Sequence, residues 1–156
     1  MKILRLFLPS VLLAMAVVAC EPDSHESFQI TNNSDSTFTV VTKLHANGFR
    51  YSNGDADTSY WVGDTLRVSK YRLPKGGTAY LFNEDVFGSP DFDNDESAHF
   101  FFERYVADDV SLDEYTLTRS PMVMSNWQRT IQIYRNGNGN VEYKFVITNS
   151  DLSAAK

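Results

Sequence analysis

The chain has 156 residues with 20 acidic and 14 basic side chains, a formal net charge of −6, and this acidic balance argues against nucleic acid as a partner. A single cysteine excludes an internal disulfide, so stability must rest on packing. With 42% apolar and 22% charged residues, the composition is that of a globular protein long enough to bury the core of one domain.

The N-terminus reads from charge to apolar run to small residues. Lys2 and Arg5 precede an apolar stretch from Leu6 to Val18, interrupted by Pro9 and Ser10. That run falls short of the ~20 residues of a spanning helix, so residues 1–19 read as a signal peptide and stand apart from the fold. The stretch ends Val17-Val18-Ala19-Cys20, which resembles a bacterial lipobox, where the Cys becomes the first mature residue and carries lipid. An uncleaved N-terminal anchor, or an ordinary signal in which Cys20 sits by chance, is the alternative. The resemblance implies a lipoprotein held to the membrane by acyl chains, palmitate among them, on Cys20. Each buried methylene contributes about 0.8 kcal/mol, and a stable anchor takes more than one chain. The remaining 137 residues hold twelve bases and twenty acids, a net −8. The stretch Glu21-Pro22-Asp23-Ser24 resembles export signals of surface-displayed Gram-negative lipoproteins. It points to the outer membrane and the cell surface, with attachment facing the periplasm as the alternative.

Residues 20–27 read as the lipidated Cys and a polar tether, and residues 28–148 as the folded domain. Phe28 to Thr31 is a short strand closed by the turn cluster Asn32-Asn33-Ser34-Asp35. Residues 36–44 alternate, with Phe38, Val40, Thr42 and Leu44 on one face, which predicts a strand with one buried side. A loop rich in Asn, Gly and Asp covers residues 45–58, and Ser59 to Val62 is a short edge strand. In residues 65–73, Leu66 and Val68 lie on one face and Tyr71 and Leu73 on the other, which predicts a bulge or twist near Ser69. Pro74-Lys75-Gly76-Gly77 is a turn: Pro presets φ and Gly permits positive φ. Residues 78–83 return from it.

Residues 84–114 carry eleven acids against one base, Arg104. A solvated rim is the plain reading of that excess. Within it, Ala98 to Val106, with Phe100, Phe101 and Phe102 in a row, predicts a strand apolar on both faces. Ser111-Leu112-Asp113-Glu114 fits a capping box and predicts a short helix. Residues 127–135 and 140–148 form a hairpin around Asn136-Gly137-Asn138-Gly139, with Ile131 and Ile133 expected in the core beside Tyr143 and Phe145. Residues 149–156 are expected to be a flexible tail. About seven strands with turn signals at ~8–12-residue spacing predict an all-β fold: an antiparallel β-sandwich with one short helix, or a small β-barrel.

Two constellations are candidate sites. Asp91, Asp93, Asp95 and Glu96 bring acids to alternate positions of a loop, as a Ca²⁺ site needs, since calcium takes six to eight oxygen ligands. Glu96 where a glycine belongs and Phe102 where a bidentate Glu belongs exclude an EF-hand. Tyr51, Asn53, Asp55, Asp57, Tyr60 and Trp61 join rings to hydrogen-bonding groups, as a sugar platform requires. Aromatics are also ordinary strand material. Catalytic signals are poor. His25, His45 and His99 stand in no metal-binding pattern, and Ser69 and Ser125 in no nucleophile elbow.

Together, the lipobox, the early Asn-Asn-Ser-Asp turn, the Phe-rich strand and the capped segment after it resemble small single-domain β-sandwich lipoproteins of unknown function from Gram-negative bacteria. The resemblance brings no catalytic residues. The expectation is a lipid-anchored envelope protein with a non-enzymatic binding or accessory domain. Its partner would be a protein or a polysaccharide, and its oligomeric state is left open. A carbohydrate- or calcium-binding module and a carboxylate-based envelope hydrolase are the alternatives.

Overall fold

The computed structural model describes residues 24–45, 56–86, 110–135 and 138–155. Ten strands run through them: β1 Ser24–Asn32, β2 Phe38–His45, β3 Thr58–Val62, β4 Leu66–Leu73, β5 Thr78–Val86, β6 Ser111–Leu112, β7 Tyr115–Leu117, β8 Gln128–Ile133, β9 Gly139–Ile147 and β10 Leu152–Ala154. Seven of these hold five or more residues, and the other three are short ladders. Strands β5-β1-β9-β8 form one four-stranded sheet, β3-β4-β2-β6 a second, and β7-β10 a small third. The sheets are open at their edges, so the fold is an all-β sandwich and not a barrel. Among the described residues helical structure is confined to 3₁₀ turns at Met124–Asn126 and Asn149–Asp151.

The core lies between the two large sheets. Period-two alternation places Val141, Tyr143, Phe145 and Ile147 of β9 inward, all buried, with half-buried residues between them. Phe28 and Ile30 of β1 share that face, and Phe38, Val40, Leu44, Tyr71 and Leu73 answer from the second sheet. Phe28 stacks on Tyr143 at 4.5 Å between ring centroids and meets Trp127 edge-on at 5.8 Å. The Trp127 indole N–H is not lost in this burial: it donates to the Pro121 carbonyl at 2.6 Å.

The chain crosses between the large sheets twice at one end, and Asn32 pins both crossings. The Pro74–Gly77 turn closes with Gly77 N–H donating to Pro74 O at 2.8 Å, and Gly76 sits at φ +79°, where a side chain would be strained. Asn32 is fully buried; its amide donates to Ser36 O at 2.7 Å and to Leu73 O at 2.9 Å. Its carbonyl oxygen accepts from the Ser34 backbone N–H at 2.9 Å and the Ser34 hydroxyl at 2.7 Å. The predicted Asn-Asn-Ser-Asp turn is therefore a buried hydrogen-bond knot joining β1 to β4.

Several expectations need correction. The first sheet is mixed: β1 pairs antiparallel with β5 but parallel with β9. The tether was expected to reach residue 27, yet β1 begins at Ser24. No shift interrupts the β4 ladders near Ser69. Val68 instead lies buried on the outer face, between its cross-strand neighbours Lys43 and Tyr60. The register shift falls between the Phe28–Phe82 and Gln29–Tyr80 pairs, which leaves Leu81 as an extra residue on β5 and lets consecutive Leu81 and Phe82 both be buried.

The predicted helix at Ser111 is absent. Ser111 and Leu112 pair with Val41 and Val40, and the Glu114 carboxylate accepts from Thr39 N–H at 2.7 Å and Thr39 Oγ1 at 3.0 Å. It caps a strand rather than a helix. Residues 149–154 are docked rather than frayed: β10 pairs with β7, and buried Asp151 takes Arg119 Nε at 2.7 Å and Arg119 Nη2 at 3.0 Å. Asp151 also accepts from the Thr148 hydroxyl and backbone N–H. Phe100, Phe101 and Phe102 lie outside the described residues.

Candidate functional site

The two large sheets are not flush. Each carries an outermost strand that the opposite sheet leaves uncovered, and these flanks hold most of the exposed apolar side chains among the described residues. On β3, at the edge of the second sheet, all five residues are exposed, with Tyr60, Trp61 and Val62 each at 50%. On β8, at the edge of the first sheet, Ile131 and Ile133 are 38% and 61% exposed and Tyr134 follows. Ile131 and Ile133 were expected in the core. They do lie on the core-facing side, opposite buried Val141 and Gly139, but among the described residues no strand of the second sheet buries them. Period two predicted the face and not the extent of the opposing layer.

The proposed sugar platform divides. Tyr60 and Trp61 are neighbours on one strand, so their rings point to opposite faces. Tyr60 sits across from Val68 on the outer face, and Trp61 across from Arg67 on the inner one. Asp57 is engaged by the fold: its carboxylate accepts from the Arg72 backbone N–H. Tyr51, Asn53 and Asp55 lie outside the described residues, as do Asp91, Asp93, Asp95, Glu96, His99 and Cys20. Val86 pairs with Ser24, and His45 with Leu66, at the end of the sandwich away from Asn32.

Four acids of the rich stretch are described: Glu84 and Asp85 stand on β5 across from Glu26 and His25 of β1, and Asp113 and Glu114 serve the second sheet. Asp113 accepts from Lys70 Nζ at 2.6 Å, a hydrogen bond that raises the Lys70 pKa. Glu114 caps β2 as above and lies 3.8 Å from Arg72. Among the described residues no group of three His, Cys, Asp or Glu side chains comes together to hold a metal ion. Ser69 is buried on β4 opposite Thr42, and Ser125 is exposed in a 3₁₀ turn.

A cavity of about 370 Å³ opens beside β6 and β7. Val110, Leu112, Leu117 and Pro121 line it with Tyr115, and hydroxyls come from Ser111, Thr116, Thr118 and Ser120. Among the described residues that line it there are hydrogen-bonding groups and no carboxylate or imidazole. Sequence reasoning passed over it because a helix was expected there.

Comparison with protein-family models, with curated proteins and with solved structures found no match to this chain. Among the described residues no helix is long and apolar enough to cross a membrane.

Proposed function

We propose that this chain is a lipid-anchored cell-envelope protein of the outer membrane, and that its β-sandwich is a non-enzymatic binding module that works through its flanks. What carries the reading is the position of β1 relative to the cysteine. Only Glu21, Pro22 and Asp23 separate Cys20 from Ser24, the first residue of β1. At ~3.3–3.6 Å per extended residue, the end of the sandwich stays within about 15 Å of the lipidated position. The flanks then stand upright on the membrane surface, open to either side. Exposed rings and branched aliphatics gathered on a sheet flank mark a surface on which a protein partner packs.

The test is palmitate labelling and membrane fractionation of the full chain in a Gram-negative host. Wild-type protein should be labelled and sediment with membranes, and Cys20→Ala should lose both properties. An intact mass showing an unmodified Cys20 in membrane-derived protein refutes the reading. Protease treatment of whole cells separates surface display from a periplasmic position.

A further inference from the structure

We propose that the partner of these flanks is a second copy of the same chain, with β3 of one molecule lapping over the exposed Ile131 and Ile133 on the inner face of β8 of the next; this rests on the anchored-module reading above. The two flanks are complementary in shape. Each sheet overhangs on the opposite side of the molecule, so a sideways shift of one copy seats one overhang upon the other.

They are also in register. Trp61 lies across from Arg67, six residues along β4 from Leu73, and Ile131 lies across from Val141 and Glu26, six residues along β1 from Asn32. Asn32 and Leu73 are hydrogen-bonded to each other. Trp61 and Ile131 therefore occupy the same level of the sandwich. Both strands run toward the same end, because Val62 pairs with Leu66 and Ile133 with Gly139, whose N–H donates to Ser24 Oγ. Just past these strands stand exposed Asp64 and exposed Arg135. A lateral shift thus sets Trp61 on Ile131 and Ile133 and brings a carboxylate to a guanidinium.

The same shift keeps every Ser24 end on one side, as lipid anchors in one leaflet demand. Antiparallel pairing of β8 with β8 would point the anchors in opposite directions, and a two-fold axis along the strands would set Arg135 against Arg135. A heterologous joint of this kind grows into rows instead of closing as a dimer.

Disulfide trapping in membranes from cells expressing the full chain tests the joint, since Cys20 is the only native cysteine. The double variant Trp61→Cys/Ile131→Cys should give a ladder of multimers on oxidation. Trp61→Cys and Ile131→Cys expressed together should give dimers, and each alone should stay monomeric. Both positions are exposed, and circular dichroism of the purified variants checks that the fold is kept. Asp64→Arg should weaken trapping, and Arg135→Asp in the neighbouring copy should restore it. Dimers from Ile131→Cys alone would mean a two-fold contact and overturn the proposal, as would no trapping in any combination. A dimer of the otherwise unchanged chain would reveal a free thiol at Cys20. That result overturns anchoring and not the joint, which is then scored in purified Cys20→Ala protein.

Discussion

Asn32 should be among the costliest single positions in the domain, though it is polar and sits in a turn. Its amide has two donors and two lone pairs, and all four are used. Truncation to alanine strands the Leu73 carbonyl and the Ser34 N–H at a buried site, while the half-buried Ser36 carbonyl keeps the Ser34 hydroxyl at 3.3 Å. A hydrogen bond contributes about 0.5–1.5 kcal/mol net, and each group left buried and unsatisfied costs about 1–3 kcal/mol. Some of the stranded groups will recruit water, so Asn32→Ala should cost about 3–5 kcal/mol. That is a large share of the ~5–15 kcal/mol that holds a typical domain. Asn32→Asp should cost at least as much. It keeps the shape but turns an oxygen toward two carbonyls where a donor is required. Asn33 supplies the control, because its side chain is exposed and only its backbone N–H bonds, to Ile147 O; Asn33→Ala should change stability by less than ~0.5 kcal/mol. Urea unfolding followed by tryptophan fluorescence reads the effect, with Trp127 buried in the core as the reporter. If Asn32→Ala and Asn33→Ala unfold at the same urea concentration with the same slope, the knot contributes nothing and the reasoning is wrong.

Three further outcomes are expected. The Asp151 carboxyl is held at about 2, against an ordinary value of 3.8, chiefly by its hydrogen bonds from Arg119. Because the folded value is the lower one, this stabilisation is complete above pH ~4 and disappears as the pH falls through 2. At ~1.4 kcal/mol per unit it amounts to about 2 kcal/mol, so Asp151→Asn should be less stable than wild type at pH 7 by that amount and indistinguishable from it near pH 2 in urea titrations. Gly139→Ala should cost about 1–3 kcal/mol, since an added methyl falls on the Gln132 backbone carbonyl across the β8–β9 ladder; an unchanged melting temperature would contradict that close approach. Millimolar CaCl₂ and NaCl of equal ionic strength should shift the melting temperature alike if the acidic stretch is a solvated rim, whereas a Ca²⁺-specific rise abolished by Asp93→Asn would show that Asp91, Asp93 and Asp95 close on a cation.

The sandwich was legible because its evidence is local. Alternation in residues 36–44 and 140–148 and the Pro-Lys-Gly-Gly turn each act within a few residues, and each appears as a strand or turn of the fold; Asn136 and Gly137 lie outside the described residues. The errors occurred where long-range partners decide. Ser111-Leu112-Asp113-Glu114 has the composition of a helix start, but Val40, Val41 and Thr39 present a strand edge and a bare N–H, and pairing there outweighs one turn of helix. Asn149 to Asp151 looked like a polar tail because nothing local shows that Arg119 waits beside it. The parallel β1–β9 pair is equally invisible, because its two strands stand more than a hundred residues apart.

The flanks follow the same logic. Ile131 and Ile133 alternate as core residues do, and the alternation is obeyed; what the pattern does not contain is the width of the opposing sheet. An apolar side chain left exposed on the inward face of an edge strand is a core position that no layer covers among the described residues. Burying such a pair is favourable by roughly 25 cal/mol per Å² of apolar surface removed from water, and an exposed edge left open is an aggregation hazard for a free protein. Under the anchored reading proposed above, a short tether would change that balance. It would confine copies to a plane, hold the Ser24 end toward the membrane and leave sideways approach as the shared geometry. The anchor read from the sequence and the offset read from the structure thus favour the same side-by-side contact, one by orienting the molecules and the other by supplying the surfaces that meet.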